Sequence, residues 1–382
     1  MDSRNSKKNS RKRTLSPKQR KQKRVRQIVL FLVEILVLLV LIVAFWGVTQ
    51  IKKIGKVTFS DDYITINEEV AEASENGQMS GYRNIALFAV DNTEGNLTGN
   101  TRTDTMIIAS INQDTKEIKL VSVYRDTYLN LGTDSYAKAN AAYGQGGAKQ
   151  AISMLNMNMD LNITDFVTTG FAALIDLVDA VGGIEIDVSE DEIVHLNSYQ
   201  ICISGEKDGT TNAYGEPNYV ATEYVDYIPV TEAGLQTLNG LQATAYCRIR
   251  YVGNDYARTS RQRLVLEKVF EKAKQMNPLT LAAVIEKVFP QTLTSFELSE
   301  MIELASDLPN YSFAGSGHFP MDDMFYSGLI GAKGSCIVPT TLEDNVKALH
   351  LYLFDDADYE PSETVKTCSA KIVADTSQYI SY

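Results

Sequence analysis

Three textures alternate along this chain. From Ile28 to Val48 the run IVLFLVEILVLLVLIVAFWGV is apolar apart from Glu34. At about 1.5 Å per residue it is long enough for a hydrocarbon core of about 30 Å. It is too long for the apolar part of a signal peptide and lacks a small-x-small cleavage site, so it reads as an uncleaved anchor. Glu34 is either an intramembrane carboxylate with a role or a tolerated one near the inner third. Residues 49–80 are polar and acidic and read as a linker. From about Gly81 the pattern becomes that of a folded domain. Apolar runs of strand length (Asn84 to Asp91, Asp104 to Asn112, Glu117 to Arg125) are punctuated by the turn Gln113 to Lys116.

Helical spacing follows. Gly147 to Met157 and FAALIDLVDAVGG read as helices, the second closed by Gly182-Gly183 and set between the strands Phe166 onward and Ile184 to Val188. A longer helix is predicted over Ala257 to Met276, stopped by Pro278, and another over Leu342 to Phe354. Strands alternating with helices predict an α/β domain with a covered sheet, large enough for one core. Residues 191–230 break the pattern and read as a surface insertion. The division expected is a tail 1–27, an anchor 28–48, a linker 49–80, a domain 81–315, and a C-terminal extension 316–382 that ends as a loose tail.

Charge sharpens this. The chain of 382 residues has 36 Lys+Arg against 48 Asp+Glu. Met1 to Arg26 carries 12 basic residues and one acid, leaving 24 against 47 in the remainder. A basic tail beside an anchor places the tail in the cytoplasm and the bulk of the chain outside. It suits anionic lipid better than nucleic acid, and the acidic remainder would repel a polyanion. The cysteines Cys202, Cys247, Cys336 and Cys368 form no CxxC pair, so zinc is not indicated. One or two disulfides remain open. His195, His318 and His350 are isolated, which gives little support to a nucleophile–base pair.

The chemistry lies elsewhere. If the turn is residues 113–116, Asn112 pairs with Glu117, and the same register sets Asp104 beside Arg125 at the open end of the hairpin, near Arg102 and Asp126. Alone, that is an ordinary salt bridge. Yet CRIRYVGNDYARTSRQR, Cys247 to Arg263, holds five arginines and one carboxylate. On a strand Arg248 and Arg250 would share a side. Arg258, Arg261 and Gln262, at i, i+3 and i+4, would share a helix face after a start at Asn254-Asp255. Guanidinium forks at this density favour a multiply charged phosphate over an ion-pair network.

The chain resembles the LytR-CpsA-Psr family of wall-polymer ligases. The resemblance rests on Phe88-AVD-Asn92, Arg102-TDT, Val123-YRDT, Lys138-ANAAYG, DLVDAVGGIEIDV, Leu238-NGLQATAYCRIRY and Asp255-YARTSRQR, in that order over roughly 80–275. Tyr124 and Cys247 depart from the family's usual residues, away from the charged positions. The resemblance implies an α–β–α sandwich around a mixed sheet, with an apolar groove for a polyprenyl chain. The reaction it implies moves a glycopolymer from a polyprenyl-pyrophosphate carrier to a peptidoglycan hydroxyl of N-acetylmuramic acid. In that reading Arg125, Arg248, Arg250, Arg258 and Gln262 hold the pyrophosphate, joined by Arg102 and Arg261 from the same clusters. Asp91 and Asp104 lie at Mg2+ (or Mn2+), and Lys138 and Asp255 complete the site. Asp104, Asp126 and Asp255 are candidate proton acceptors, and the helix from Phe171 to Val181 should line the groove. The expected location is the membrane of a single-membrane bacterium, with the domain outside. A regulator that binds lipid-linked precursors without turnover, or a lipid pyrophosphatase, uses the same residues. A wall-anchored structural protein leaves the arginines unexplained.

Overall fold

The computed structural model describes residues 55–56, 64–90, 97–98, 101–211, 217–220, 227–296, 300, 304 and 307–380. The expected tail 1–27 and anchor 28–48 lie outside these. Among the described residues, no helix is long and apolar enough to cross a membrane.

A seven-stranded mixed sheet organises the domain. Its order is Gly55–Lys56, Thr292–Thr294, Asp165–Thr169, Tyr82–Val90, Thr103–Asn112, Glu117–Val123 and Ser312–Phe319. The predicted hairpin has the predicted register: Ile107 faces Ser122, Ile108 faces Val121 and Ile111 faces Ile118. Side-chain alternation then splits these strands between two cores. Ala86, Phe88, Met106, Ile108, Val121 and Val123 join one core. It is completed by the helices Ala141–Met159, Leu342–Phe354 and Glu363–Thr376. Ile85, Ile107, Ala109, Ile111, Ile118 and Leu120 join the other, with Leu266 and Phe270 of the helix Asn254–Lys274 packed against it. Helices therefore cover both faces of a mixed sheet.

The expected strand–helix–strand order is present as Asp165–Thr169, Phe171–Ala180 and Ile184–Val188, the last strand pairing with Gly234–Leu238 in a separate ribbon. Two expectations need correction. The segment read as a surface insertion opens with a helix, Glu190–Ser204, whose buried Leu196 belongs to a further core with Ile184, Tyr246 and Val265. The C-terminal segment is part of the fold. A boundary at 315 would cut the strand Ser312–Phe319, which pairs in parallel with Glu117–Val123. The expected loose tail is the helix Glu363–Thr376, whose Val365, Cys368 and Ile372 are buried in the main core.

One buried carboxylate ties the ends together. Asp160 is fully buried at the end of Ala141–Met159 and accepts from Asn67 Nδ2 at 2.5 Å, Ser362 N at 2.7 Å and Ser362 Oγ at 2.6 Å. Asn67 belongs to the expected linker and Ser362 to the expected tail, so both are built into the domain. All four cysteines stand free, so no disulfide contributes. If the C-terminal helices are integral, Leu349→Ala should destabilise the whole domain by roughly 2–5 kcal/mol. Thermal unfolding of the full chain checks this, since a mere appendage would leave the main transition in place.

Candidate active site

Asp104, near the start of Thr103–Asn112, is where four elements meet. Its Oδ1 accepts from Arg125 Nη1 at 2.7 Å, the contact the hairpin register predicts. Its Oδ2 accepts from Arg250 Nη2 at 3.1 Å and lies 3.9 Å from Arg258 Nη1. Arg258 Nη2 also donates to the Asp104 carbonyl at 3.4 Å. Burial by itself would raise the Asp104 pKa, but Arg125, Arg258 and Arg250 together hold it below the ordinary carboxylate value. The carboxylate is therefore ionised at neutral pH.

Beside it opens a cavity of about 790 Å³. Asp104, Arg248, Arg250, Arg258 and Gln262 line it, and Gln262 Oε1 is buried without a hydrogen-bond partner among the described residues. Most of the remaining wall is apolar, with Leu87, Ile107, Val265, Leu266, Val284 and Phe296 among its residues. The expected groove helix contributes Phe171, Ala173, Leu174 and Leu177. That helix is held close by a glycine. A Cβ at Gly240 would sit 2.1 Å from the Ile175 carbonyl oxygen, and Gly240 N donates to Asp179 Oδ1 at 2.7 Å. A charged cluster thus adjoins a long apolar enclosure, which matches an amphiphile with an anionic head.

Arg248 and Arg250 reach the cavity from a turn, not from the expected strand. The helix Gly240–Tyr246 ends at Cys247, and Arg248–Gly253 forms a loop before the helix Asn254–Lys274. Gly253, at φ 78°, takes the left-handed conformation that turns the chain into that helix. The Arg248 guanidinium lies over Phe171 at 4.6 Å and Tyr199 at 5.6 Å. Such stacking orients the guanidinium plane.

Arg261 is not among the cavity residues, which corrects its assignment to a phosphate. It is buried, with Nε donating to Glu192 Oε1 at 2.7 Å, Nη1 to the Ile249 carbonyl at 3.2 Å and Nη2 to the Val252 carbonyl at 2.8 Å. It fastens the loop that carries Arg248 and Arg250. Glu192, which the sequence did not single out, also accepts from Ser189 N at 2.9 Å. A capping signal, Ser189 three residues before Glu192, was the available clue.

The other expected residues divide. Lys138 Nζ pairs with Asp126 Oδ1 at 2.8 Å, and Arg125 Nε lies 3.7 Å from Asp126 Oδ2, so these extend the network away from the cavity wall. Arg102 is exposed and does not line the cavity. Asp255 falls in the first turn of Asn254–Lys274, with its side chain outside the described set, and Asp91 lies outside the described residues.

Residues 50–315 match the LytR_cpsA_psr family model. The chain belongs to the LytR-CpsA-Psr family. Over 229 residues it is 32% identical to Biofilm regulatory protein A of Streptococcus mutans, covering 56% of this chain and 50% of that one. Over 227 residues it is 28% identical to the polyisoprenyl-teichoic acid–peptidoglycan teichoic acid transferase TagU of Enterococcus faecalis, covering 58% and 64%. The chain thus spans between half and two thirds of these relatives' length. A solved structure of TagT bound to LIIa-WTA superposes with a TM-score of 0.54 at 19% identity, covering 75% of this chain and 94% of that one. A structure described as a transcriptional regulator from Enterococcus faecalis gives a TM-score of 0.57 at 22% identity, covering 80% and 98%. These likenesses establish the shared fold.

Two outcomes test the geometry. Glu192→Gln leaves the buried Arg261 without the counter-charge of Glu192 and should destabilise the protein by roughly 3–5 kcal/mol, measured by thermal unfolding. The depressed Asp104 pKa makes its ion pairs stabilising at neutral pH, and that contribution is lost as pH falls through the folded value, below the ordinary 3.8. Asp104→Asn should therefore flatten the acid limb of the stability curve below that pH.

Proposed function

We propose that this protein is a membrane-anchored phosphotransferase that moves a glycopolymer from a polyprenyl-pyrophosphate carrier to a peptidoglycan hydroxyl. The observation that carries this is the junction at Asp104, where Arg248, Arg250, Arg258 and Gln262 border a largely apolar cavity of about 790 Å³. The related proteins named as teichoic acid transferases and the TagT structure with LIIa-WTA support the same class. The basic tail and apolar run of the sequence support a domain outside the membrane, which would be on the side of its acceptor.

In this reaction the acceptor hydroxyl oxygen attacks the sugar-proximal phosphorus. The bond to the bridging oxygen breaks, polyprenyl phosphate departs, and the hydroxyl proton passes to a carboxylate or to water. The protein's share is charge neutralisation and alignment. Arg248, Arg250 and Arg258 would hold the pyrophosphate oxygens, while Leu174, Leu177 and Leu266 would enclose the prenyl chain. Gln262 would contribute its amide at the same wall.

The donor set suits a magnesium ion held jointly with substrate. Asp104 offers an ionised carboxylate at the cavity. Among the described residues no three His, Cys, Asp or Glu side chains gather as a metal cage. One or two carboxylates plus substrate phosphates is the usual magnesium arrangement. Asp104 and Asp91 would hold the ion, which would neutralise phosphate charge. With its proton affinity depressed, Asp104 is better fitted to a cation than to general base work.

The test supplies the protein with a polyprenyl-pyrophosphate saccharide and a peptidoglycan oligomer. Mass spectrometry follows polyprenyl phosphate release and glycan joining, with and without magnesium. Arg250→Ala should lower turnover by roughly 100-fold or more, and chelation should abolish it. Relatives named as regulators motivate the opposing outcome, tight donor binding with no turnover across several acceptors, which would favour a sensor.

A further inference from the structure

Asp104 faces two ways. Its Oδ2 contacts Arg250 and Arg258, both on the cavity wall, whereas its Oδ1 binds Arg125, which does not line the cavity. Beyond Arg125 lies a second polar array. Asp126 pairs with Lys138 at 2.8 Å, and all three side chains are partly exposed, between 22% and 31%. Asn140 N donates to the Arg125 carbonyl at 3.1 Å, while the buried Asn140 Oδ1 has no hydrogen-bond partner among the described residues.

An aromatic cluster that the donor chemistry leaves unused adjoins this segment along the backbone, since Ile337 N donates to the Asp126 carbonyl at 3.0 Å and Ile337 lies on the strand paired with that of Phe325. Tyr124, one residue before Arg125, lies 4.7 Å from Tyr256 and 6.1 Å from Phe325, ring centre to ring centre. Tyr256 and Phe325 meet edge-on at 5.5 Å and are both half-buried, while Tyr124 beneath them is buried. His318 stacks on Tyr124 at 4.6 Å, its ring fixed by the Pro320 carbonyl at 2.6 Å and Asp322 Oδ1 at 2.8 Å. None of these rings lines the donor cavity. The result is a fixed aromatic shelf built on Tyr124, next to Arg125 in the chain, and on a strand pair bonded to the Asp126 backbone.

We propose that this shelf, Tyr256 and Phe325 with Asp126 and Lys138, binds the acceptor saccharide. The proposal rests on the ligase reading. An in-line displacement at phosphorus needs nucleophile and leaving group on opposite sides. The cavity takes the leaving prenyl phosphate, so the incoming hydroxyl comes from the Arg125 side of Asp104. A pyranose fits what is there: its C–H face packs on aromatic rings, and its rim of hydroxyl and amide groups bonds to charged partners.

The experiment compares full-length wild type with Phe325→Ala and Phe325→Leu, the latter keeping apolar volume in case the former fails to fold. It measures the acceptor KM for a peptidoglycan oligosaccharide and the affinity for the lipid donor. Saturation-transfer NMR separately follows binding of the free oligosaccharide. The expected result is a rise of about tenfold in acceptor KM with donor affinity kept. An acceptor KM within about twofold of wild type overturns the proposal, as does an equal loss of donor affinity. So does a wild-type protein that shows no oligosaccharide binding. Wild-type protein that joins no glycan, yet binds the oligosaccharide and loses it in Phe325→Leu, keeps the shelf and removes the ligase reading.

Discussion

The arrangement of the site depends on one carboxylate shared by three guanidinium groups. Asp104 draws in Arg125 from beyond the neighbouring strand, Arg250 from a loop and Arg258 from a helix, which fixes those elements relative to each other. Three like charges so close would repel strongly without it. The carboxylate thus gathers guanidinium groups with planar donor forks at the edge of the cavity, chemistry that would suit a phosphate-bearing ligand.

The apolar enclosure follows from the two-sided sheet. Ile107 and Leu87 contribute to the core beneath Asn254–Lys274 and also border the cavity, so the wall of the enclosure is continuous with the packing of the domain. Helix Phe171–Ala180 closes another side because Gly240 lets its backbone come near. Rigidity at the charged end comes from Glu192 and Arg261, which fasten the loop from behind by its carbonyls and leave Arg248 and Arg250 on the cavity side.

Local features were legible in the sequence. The four-residue turn set the hairpin register, and with it the Asp104–Arg125 contact, because antiparallel pairing follows from the turn. The helix Leu342–Phe354 was readable in the sequence; the structure adds its cap, Thr341, whose side chain accepts from Asp344 N. Other features were hidden. Arg-Ile-Arg alternates alike on a strand and on a loop that follows a helix. Arg258, Arg261 and Gln262 share a face only approximately, and the small angular offset carries Arg261 to Glu192 instead of the cavity. The parallel pairing of Ser312–Phe319 with Glu117–Val123 spans too much sequence for any local signal. Nor could spacing reveal that Tyr124, Tyr256 and Phe325, from three distant segments, would meet.

The Asp160 contacts bear on the order in which this molecule is made. A buried polar group without its partners is costly, and two of the donors to Asp160 come from Ser362, 202 residues further along. A chain synthesised from its N-terminus must therefore present Ser362 before the core around Ala141–Met159 can close with Asp160 fully bonded. Until then the apolar faces of Tyr82–Val90 and Thr103–Asn112 wait uncovered on that side. Closure of that core then waits on a segment 202 residues downstream of Asp160.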